Sequence, residues 1–173
     1  MDDVRTETST KLGVMNGTSF DEFYLREFRP MVALAAAVCG SSLLAEDIAQ
    51  EAMTRIYHRW DRISTYDKPG AFARRITINL ASSRRRRDAV AEQGRSRLGA
   101  QHAMPPPPEL HEEVWEAVAS LPPKQRAAIA LHYLEDRPVG EIADILGCAS
   151  ATARVHLHRA RTTLAALLEG HER

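Results

Sequence analysis

The stretch Gly140–Arg161, GEIADILGCASATARVHLHRAR, decides how the chain is built. Val139, Ile142, Ala143 and Leu146 recur at i, i+3, i+4 and i+7, the spacing of one face of a short helix. Gly147 ends that helix, and Ser150 suits the N-cap of a second. The second helix carries Ala153, Leu157, Ala160, Leu164 and Leu167 on its apolar side. Two amphipathic helices joined by a glycine turn predict a helix-turn-helix. In that motif the first helix holds the second at a steep angle, with its N-terminal part entering a major groove. Turned away from the apolar side are Ala151, Thr152, Arg154, Val155, His158, Arg159 and Arg161. Arg154 and Arg159 suit base edges or phosphates, Val155 a thymine methyl, and Arg161 a phosphate. Read alone, the stretch also fits a helical hairpin with a solvated basic face.

Moving toward the N-terminus, KQRAAIALHYLED is helical between Pro122-Pro123 and Arg137-Pro138. HEEVWEAVASL precedes it, with Val114, Trp115, Val118 and Leu121 at helical spacing, so residues 111–173 read as one small domain. Between Asp88 and Leu110 the periodicity stops. Pro105 to Pro108 add a stiff polyproline element there. Residues 88–110 are therefore predicted to be a linker able to span about 75 Å.

A first domain is predicted over residues 20–87. Phe20, Phe23, Tyr24 and Phe28 share one helix face, and Pro30 either bends that helix or starts the next. LLAEDIAQEAMTRIYHRW follows as a helix with Leu44, Ile48, Ala52, Ile56 and Trp60 inward. Asp47, Gln50, Glu51 and Arg55 lie outward. Asp61–Gly70 reads as a loop, and FARRITINLASSRRRR, Phe72–Arg87, as a helix with six arginines in sixteen residues. Phe72, Ile76, Asn79 or Leu80, and Ser83 share a face of it. Residues 1–19 show no periodicity and are predicted disordered. The fold class expected is all-α: two small helical domains joined by a flexible, proline-containing linker.

Composition narrows the function. The chain has no net charge at pH 7, yet acidic residues outnumber arginines between Phe20 and His58 and the balance reverses in favour of arginine from Arg59 to Arg97. Two partners of different character follow from that split. No apolar run reaches the roughly 18 residues of a membrane span. The polar start MDDVRTETSTKLG is not a secretory signal. Cys39 and Cys148 fit neither a disulfide framework nor a zinc site and read as reduced thiols of a cytoplasmic protein. His156 and His158 diverge by roughly 200° on a helix, too far to share a metal ion. No residue set suggests catalysis, a cofactor or a small-molecule substrate.

In their order these motifs resemble the extracytoplasmic-function class of bacterial RNA polymerase sigma factors. AEDIAQEAMTRIYHRW is similar to that family's polymerase-binding helix, AFARRITINLASSRRRR to its promoter-melting segment, and LPPKQRAAIALHYLEDRPVGEIADILGCASATARVHLHRAR to its −35-reading module. The resemblance implies region 2 over 20–87, region 4 over 111–173, and initiation of transcription without catalysis. It implies that Asp47, Gln50, Glu51 and Arg55 grip the coiled coil of the polymerase's largest subunit, with the flap region as a second contact. Arg74, Arg75 and Arg84, Arg85, Arg86 and Arg87 would neutralise −10 phosphates. Tyr66, Lys68, Phe72 and Asn79 would hold an unstacked base of the non-template strand. An anti-sigma factor is a further implied partner, and the chain would join the nucleoid when bound to polymerase. The family's recognition helix usually reads Gly-Thr-Val-Lys/Arg-Ser-Arg; here Ala151-Thr152-Ala153-Arg154-Val155-His156 differs at several of those positions. Two other classes stay open from the residues alone: a free-standing helix-turn-helix regulator, and a protein–protein adaptor with incidental basic helices.

Overall fold

The structure, a computed structural model, describes residues 19–95 and 112–171. Among them are eight helices, in two groups of four. The first group is α1 (Phe20–Cys39), α2 (Ser42–Tyr57), α3 (Trp60–Ile63) and α4 (Pro69–Arg95). The second is α5 (Glu112–Ser120), α6 (Pro123–Tyr133), α7 (Val139–Leu146) and α8 (Ser150–His171). All but the last residue of the expected N-terminal segment 1–19, and residues 96–110 of the expected linker 88–110, lie outside the described residues.

Local chemistry sets the helix ends. Ser19 and Glu22 form a capping box at the start of α1, each side chain bonded to the other's backbone N–H at 3.2 Å. Pro30 does not start a new helix; α1 runs through it. An interior proline costs about 3 kcal/mol. Met31, Leu34 and Val38 beyond it are fully buried, and burial of such side chains returns about 1.5–3 kcal/mol each. Packing wins.

Other boundaries differ from the sequence reading. The helix expected to reach Trp60 stops at Tyr57, and the turn at His58–Arg59 swings Trp60 onto Phe23, with ring centroids 4.8 Å apart. Helix α4 starts at Pro69, where a missing N–H is harmless. It also runs on to Arg95, past the expected end near Arg87 and into the expected linker. Ala89, Ala91, Glu92 and Gln93 favour helix, and Arg84 reaches Asp88 one turn on at 3.5 Å.

The two groups are docked. Helix α1 packs on α5 and α6, and α4 packs on α7. One apolar core runs through both, from Phe23, Met31 and Ile56 to Leu131, Ile142 and Leu157.

Candidate nucleic-acid interface

Gly147, in the left-handed region at φ 65°, turns the chain between α7 and α8. Ser150 falls at the first helical position of α8 rather than at its cap. Ala153, Leu157 and Ala160 are buried against α6 and α7. Ala151, Thr152, Arg154, Val155, His158, Arg159 and Arg161 all face out, as the spacing predicts. Val155 is 45% exposed, an apolar side chain left in solvent on the reader face. Arg161 is not a free cation: its Nε donates to the Tyr133 hydroxyl at 3.0 Å, and its Nη2 lies 2.9 Å from His132 Nε2. His156 is half-buried, and burial, with the charges of Lys124 and Arg159, pushes its pKa down, so it favours the neutral form.

On α4 the core takes Ala73, Thr77, Ile78, Leu80 and Ala81, while Phe72, Ile76 and Asn79 border an open pocket. That pocket measures 380 Å³ and is completed by Arg55, His58 and Arg59 from the end of α2. Tyr66 stands edge-on to Phe72, with centroids 5.3 Å apart. An aromatic face, a side-chain amide and three basic groups around one hole suit a nucleobase with its phosphate. His58 and Arg59 escaped the sequence reading because it placed them inside an unbroken helix. Arg55 was assigned only to the outer face of α2, where it does pair with Glu51 at 2.6 Å. Asp47, Gln50 and Glu51 are exposed on that face, and Gln50 donates to the Tyr24 hydroxyl at 3.2 Å.

Two arginines of α4, Arg74 and Arg85, are not where a phosphate-binding role would put them, and the exposed Arg75 is engaged by carbonyls of α7. Arg74 is buried, 3% exposed, and bonded to Glu27 at 2.8 Å and to Glu135 of the second group. Burial alone would raise the Glu27 pKa, but hydrogen bonds and charge from Arg26 and Arg74 outweigh it and hold the carboxyl below its ordinary value. Arg85 donates to the Cys39 carbonyl at 3.3 Å and the Ala119 carbonyl at 2.5 Å. Arg75 is exposed, yet it donates to the Ile145 carbonyl at 3.2 Å and to the Asp144 carbonyl. Lys68 pairs with the Asp144 carboxylate at 3.3 Å. The reason is helical phase. Arg74, Ile78, Ala81 and Arg85 follow i, i+4, i+7 and i+11, so the two arginines share the stripe of two core residues. Arg84, Arg86 and Arg87 face solvent.

Two family descriptions match the chain. Residues 23–90 match the family described as Sigma-70 region 2, and residues 111–164 match Sigma-70, region 4. The chain is 30% identical to the RNA polymerase sigma-E factor of Streptomyces antibioticus, over 72% of this chain and 71% of that one. It is 32% identical to the ECF RNA polymerase sigma factor SigE of Mycolicibacterium smegmatis, over 88% of this chain and 63% of that one. Its fold is similar to the sigma factor RpoE of Bartonella quintana, solved in complex with the anti-sigma factor NepR. That match has a TM-score of 0.73 and 23% identity, and covers 87% of this chain and 96% of that one.

Proposed function

This chain belongs to the sigma-70 family, in its extracytoplasmic-function class, and from that membership we propose how its surfaces divide the work of promoter-directed initiation. The outer face of α2, with Asp47, Gln50, Glu51 and Arg55, grips the coiled coil of the polymerase's largest subunit, and the second module meets the flap region. Helix α8 reads the −35 element, with Arg154, Val155 and Arg159 nearest the bases and Thr152 and His158 beside them. The pocket of Phe72, Asn79, Arg55, His58 and Arg59 takes an extruded base of the −10 element, which regains stacking and hydrogen bonds there. Lys68, Arg75, Arg84, Arg86 and Arg87 track the backbone of that strand.

The observation carrying this reading is the protruding face of α8, whose opposite side alone is buried. The test is transcription in vitro with core polymerase on a library of genomic fragments. The expected result is initiation at defined start sites that depends on this chain; failure to bind core polymerase would end the proposal.

We extend the proposal to an anti-sigma factor. An apolar groove of 580 Å³ runs between the modules, lined by Phe28, Val32, Ala45, Trp115 and Leu134. Its shape and apolarity suit one helix of a regulatory protein. Co-purification of core polymerase in competition with such a partner would test it: Trp115→Ala is expected to weaken the regulator and spare the polymerase.

A further inference from the structure

Several exposed cations of this chain are ordered by carboxylates: Arg55 by Glu51 at 2.6 Å, Lys68 by Asp144 at 3.3 Å, and Arg84 by Asp88 at 3.5 Å. A carboxylate fixes a cation and cancels its charge. Arg161 of α8, also exposed, is ordered in another way. Its two partners stand at the end of α6, and both are neutral acceptors. The Tyr133 hydroxyl lies 3.0 Å from Nε, and His132 Nε2 lies 2.9 Å from Nη2. The guanidinium carbon also sits 5.6 Å from the centre of the Tyr133 ring, in the range of a cation–π contact. None of the ion pairs among the described residues includes Arg161.

His132 accepts because its other nitrogen is committed. Nδ1 lies 3.4 Å from the Arg137 carbonyl, which can only accept. The tautomer that satisfies both neighbours carries its proton on Nδ1 and turns the Nε2 lone pair to Arg161. Arg137 is held in turn by Glu135 at 3.2 Å and Glu141 at 3.1 Å, so the chain of contacts starts on an anchored α6–α7 turn. Along α8, Arg161 follows Arg154 at i+7, about 20° around the helix and about 10 Å further on. The first turns of a reader helix meet base edges; the turns after them pass the rim of the groove, where the phosphates lie. A guanidinium has five N–H donors, of which Tyr133 and His132 take two. The other three point from a fork that is already oriented, so less freedom is lost when an anion arrives.

We propose that His132 and Tyr133 are positioning residues for −35 binding: they hold Arg161 as a preformed, uncancelled cation for one phosphate at the rim of the major groove. The inference rests on the reading of α8 as the −35 reader and extends it to two residues of α6.

The test follows binding of the full chain by fluorescence anisotropy over a series of salt concentrations. The probes are a fluorescein-labelled promoter duplex and a duplex of scrambled sequence. Arg161→Gln is expected to weaken both alike and to lower the salt slope by about 0.9, one counterion's worth. Tyr133→Phe and His132→Phe each keep a ring and remove an acceptor, and each should weaken binding about threefold. His132→Gln places an amide oxygen near the position of Nε2 and should recover most of its share. In an Arg161→Gln background, neither phenylalanine variant should have a further effect. Tyr133→Phe deletes one oxygen from an exposed side chain, so its result does not hinge on folding. Losses that add to that of Arg161→Gln, or no recovery by His132→Gln, overturn the positioning role. If Arg154→Ala weakens promoter binding while Arg161→Gln changes neither duplex, the positioning role falls and the reader helix stands. If neither variant weakens binding, both fall.

Discussion

Arg85 and Arg126 lie side by side where the modules meet, one donating to the Cys39 carbonyl at 3.3 Å and the other to the neighbouring Val38 carbonyl at 2.6 Å. Two cations at the end of one helix repel, and both are drawn out of water. Burial, then the charge of Arg85, pushes the Arg126 pKa down to about 10. Burial lowers that of Arg85 too. At about 10, Arg126 is still charged at neutral pH, and Arg85 is held by the Cys39 and Ala119 carbonyls. Arg126 also donates to the carbonyls of Leu121 at 2.5 Å and Val118 at 3.2 Å. The helix ends and the arginines need one another.

Arg126→Met removes the cation and keeps an unbranched apolar stem. The carbonyls of Val38 and Leu121 then lose a donor in a buried place, at about 1–3 kcal/mol for each group left unmet. The expected loss is about 3 kcal/mol, or about 6–12 °C in melting temperature for a chain of this length. Arg126→Lys should recover less than half, because one ammonium does not span both helix ends. Thermal unfolding followed by circular dichroism measures both.

Gly40 and Gly147 both have positive φ, 77° and 65°, but their surroundings differ. A Cβ at Gly147 would stand 3.9 Å from Arg75, an ordinary contact, whereas at Gly40 it would stand 2.5 Å from Arg85 Nη1. Gly147→Ala should cost only the left-handed strain, about 1–2 kcal/mol. Gly40→Ala should cost that and also displace Arg85 from its carbonyls, about 1 kcal/mol more. In an Arg85→Ala background the extra cost should vanish. Urea denaturation of the four combinations forms the cycle.

Glu27 makes stability depend on acid. Its carboxyl titrates lower in the folded chain than its ordinary value, so the unfolded chain binds the proton first as pH falls. The stabilisation is therefore complete above the unfolded value, about 4.3, and drains away as pH drops through the lower folded value. Melting temperature should be flat toward neutrality on this account and fall below about pH 4.5. In Glu27→Gln that acid limb should be shallower and the neutral melting temperature lower, since Arg74 keeps only Glu135 among its carboxylate partners.

What the sequence showed and what it hid follow from one distinction. The reader face of α8 was legible because Ala153, Leu157 and Ala160 recur at helical spacing and leave the rest outside. The break at His58–Arg59 was not, because the apolar period runs unbroken into Trp60, whose ring packs on Phe20 and Phe23 of another helix. The arginines of α4 misled for a different reason. A run of four covers every side of a helix, so composition cannot say which member turns inward. The phase set by Ile78 and Ala81 could have singled out Arg74 and Arg85. Their partners could not be foreseen, since Glu135 and the ends of α1 and α5 are brought there only by docking of the modules.

On α8, Arg154 and Arg159 should separate by type of contact. A side chain that meets a phosphate weakens all sequences alike, and its loss reduces the salt dependence of binding by about one counterion. A side chain that meets a base edge costs about 1–3 kcal/mol at its own base pair and spares the rest. Lying nearer the start of α8, Arg154 should behave in the second way and Arg159 in the first. Anisotropy titrations at several salt concentrations, on a promoter duplex and its single-position variants, would reverse this assignment if Arg159→Ala alone changed sequence preference.

Asn79 offers the cleanest separation of function from folding. It is exposed at the rim of the 380 Å³ pocket, on the same helix face as Phe72 and Ile76, and its side chain contributes nothing to the core. Asn79→Ala should leave folding stability within about 0.5 kcal/mol of wild type, as for other exposed sites. Opening of the −10 element should suffer, because an extruded base would lose a hydrogen-bonding partner that compensates its unpairing. The loss expected is about tenfold, one hydrogen bond's worth. A fluorescent adenine analogue placed in the −10 element reports opening directly, and a duplex carrying only the −35 element reports docking of α8. Slower opening with unchanged −35 binding is the expected pair of results. Phe72→Ala should slow opening too, but with a measurable loss of stability, since its ring also packs against Tyr66. Equal opening rates for Asn79→Ala and wild type would remove this pocket from promoter melting.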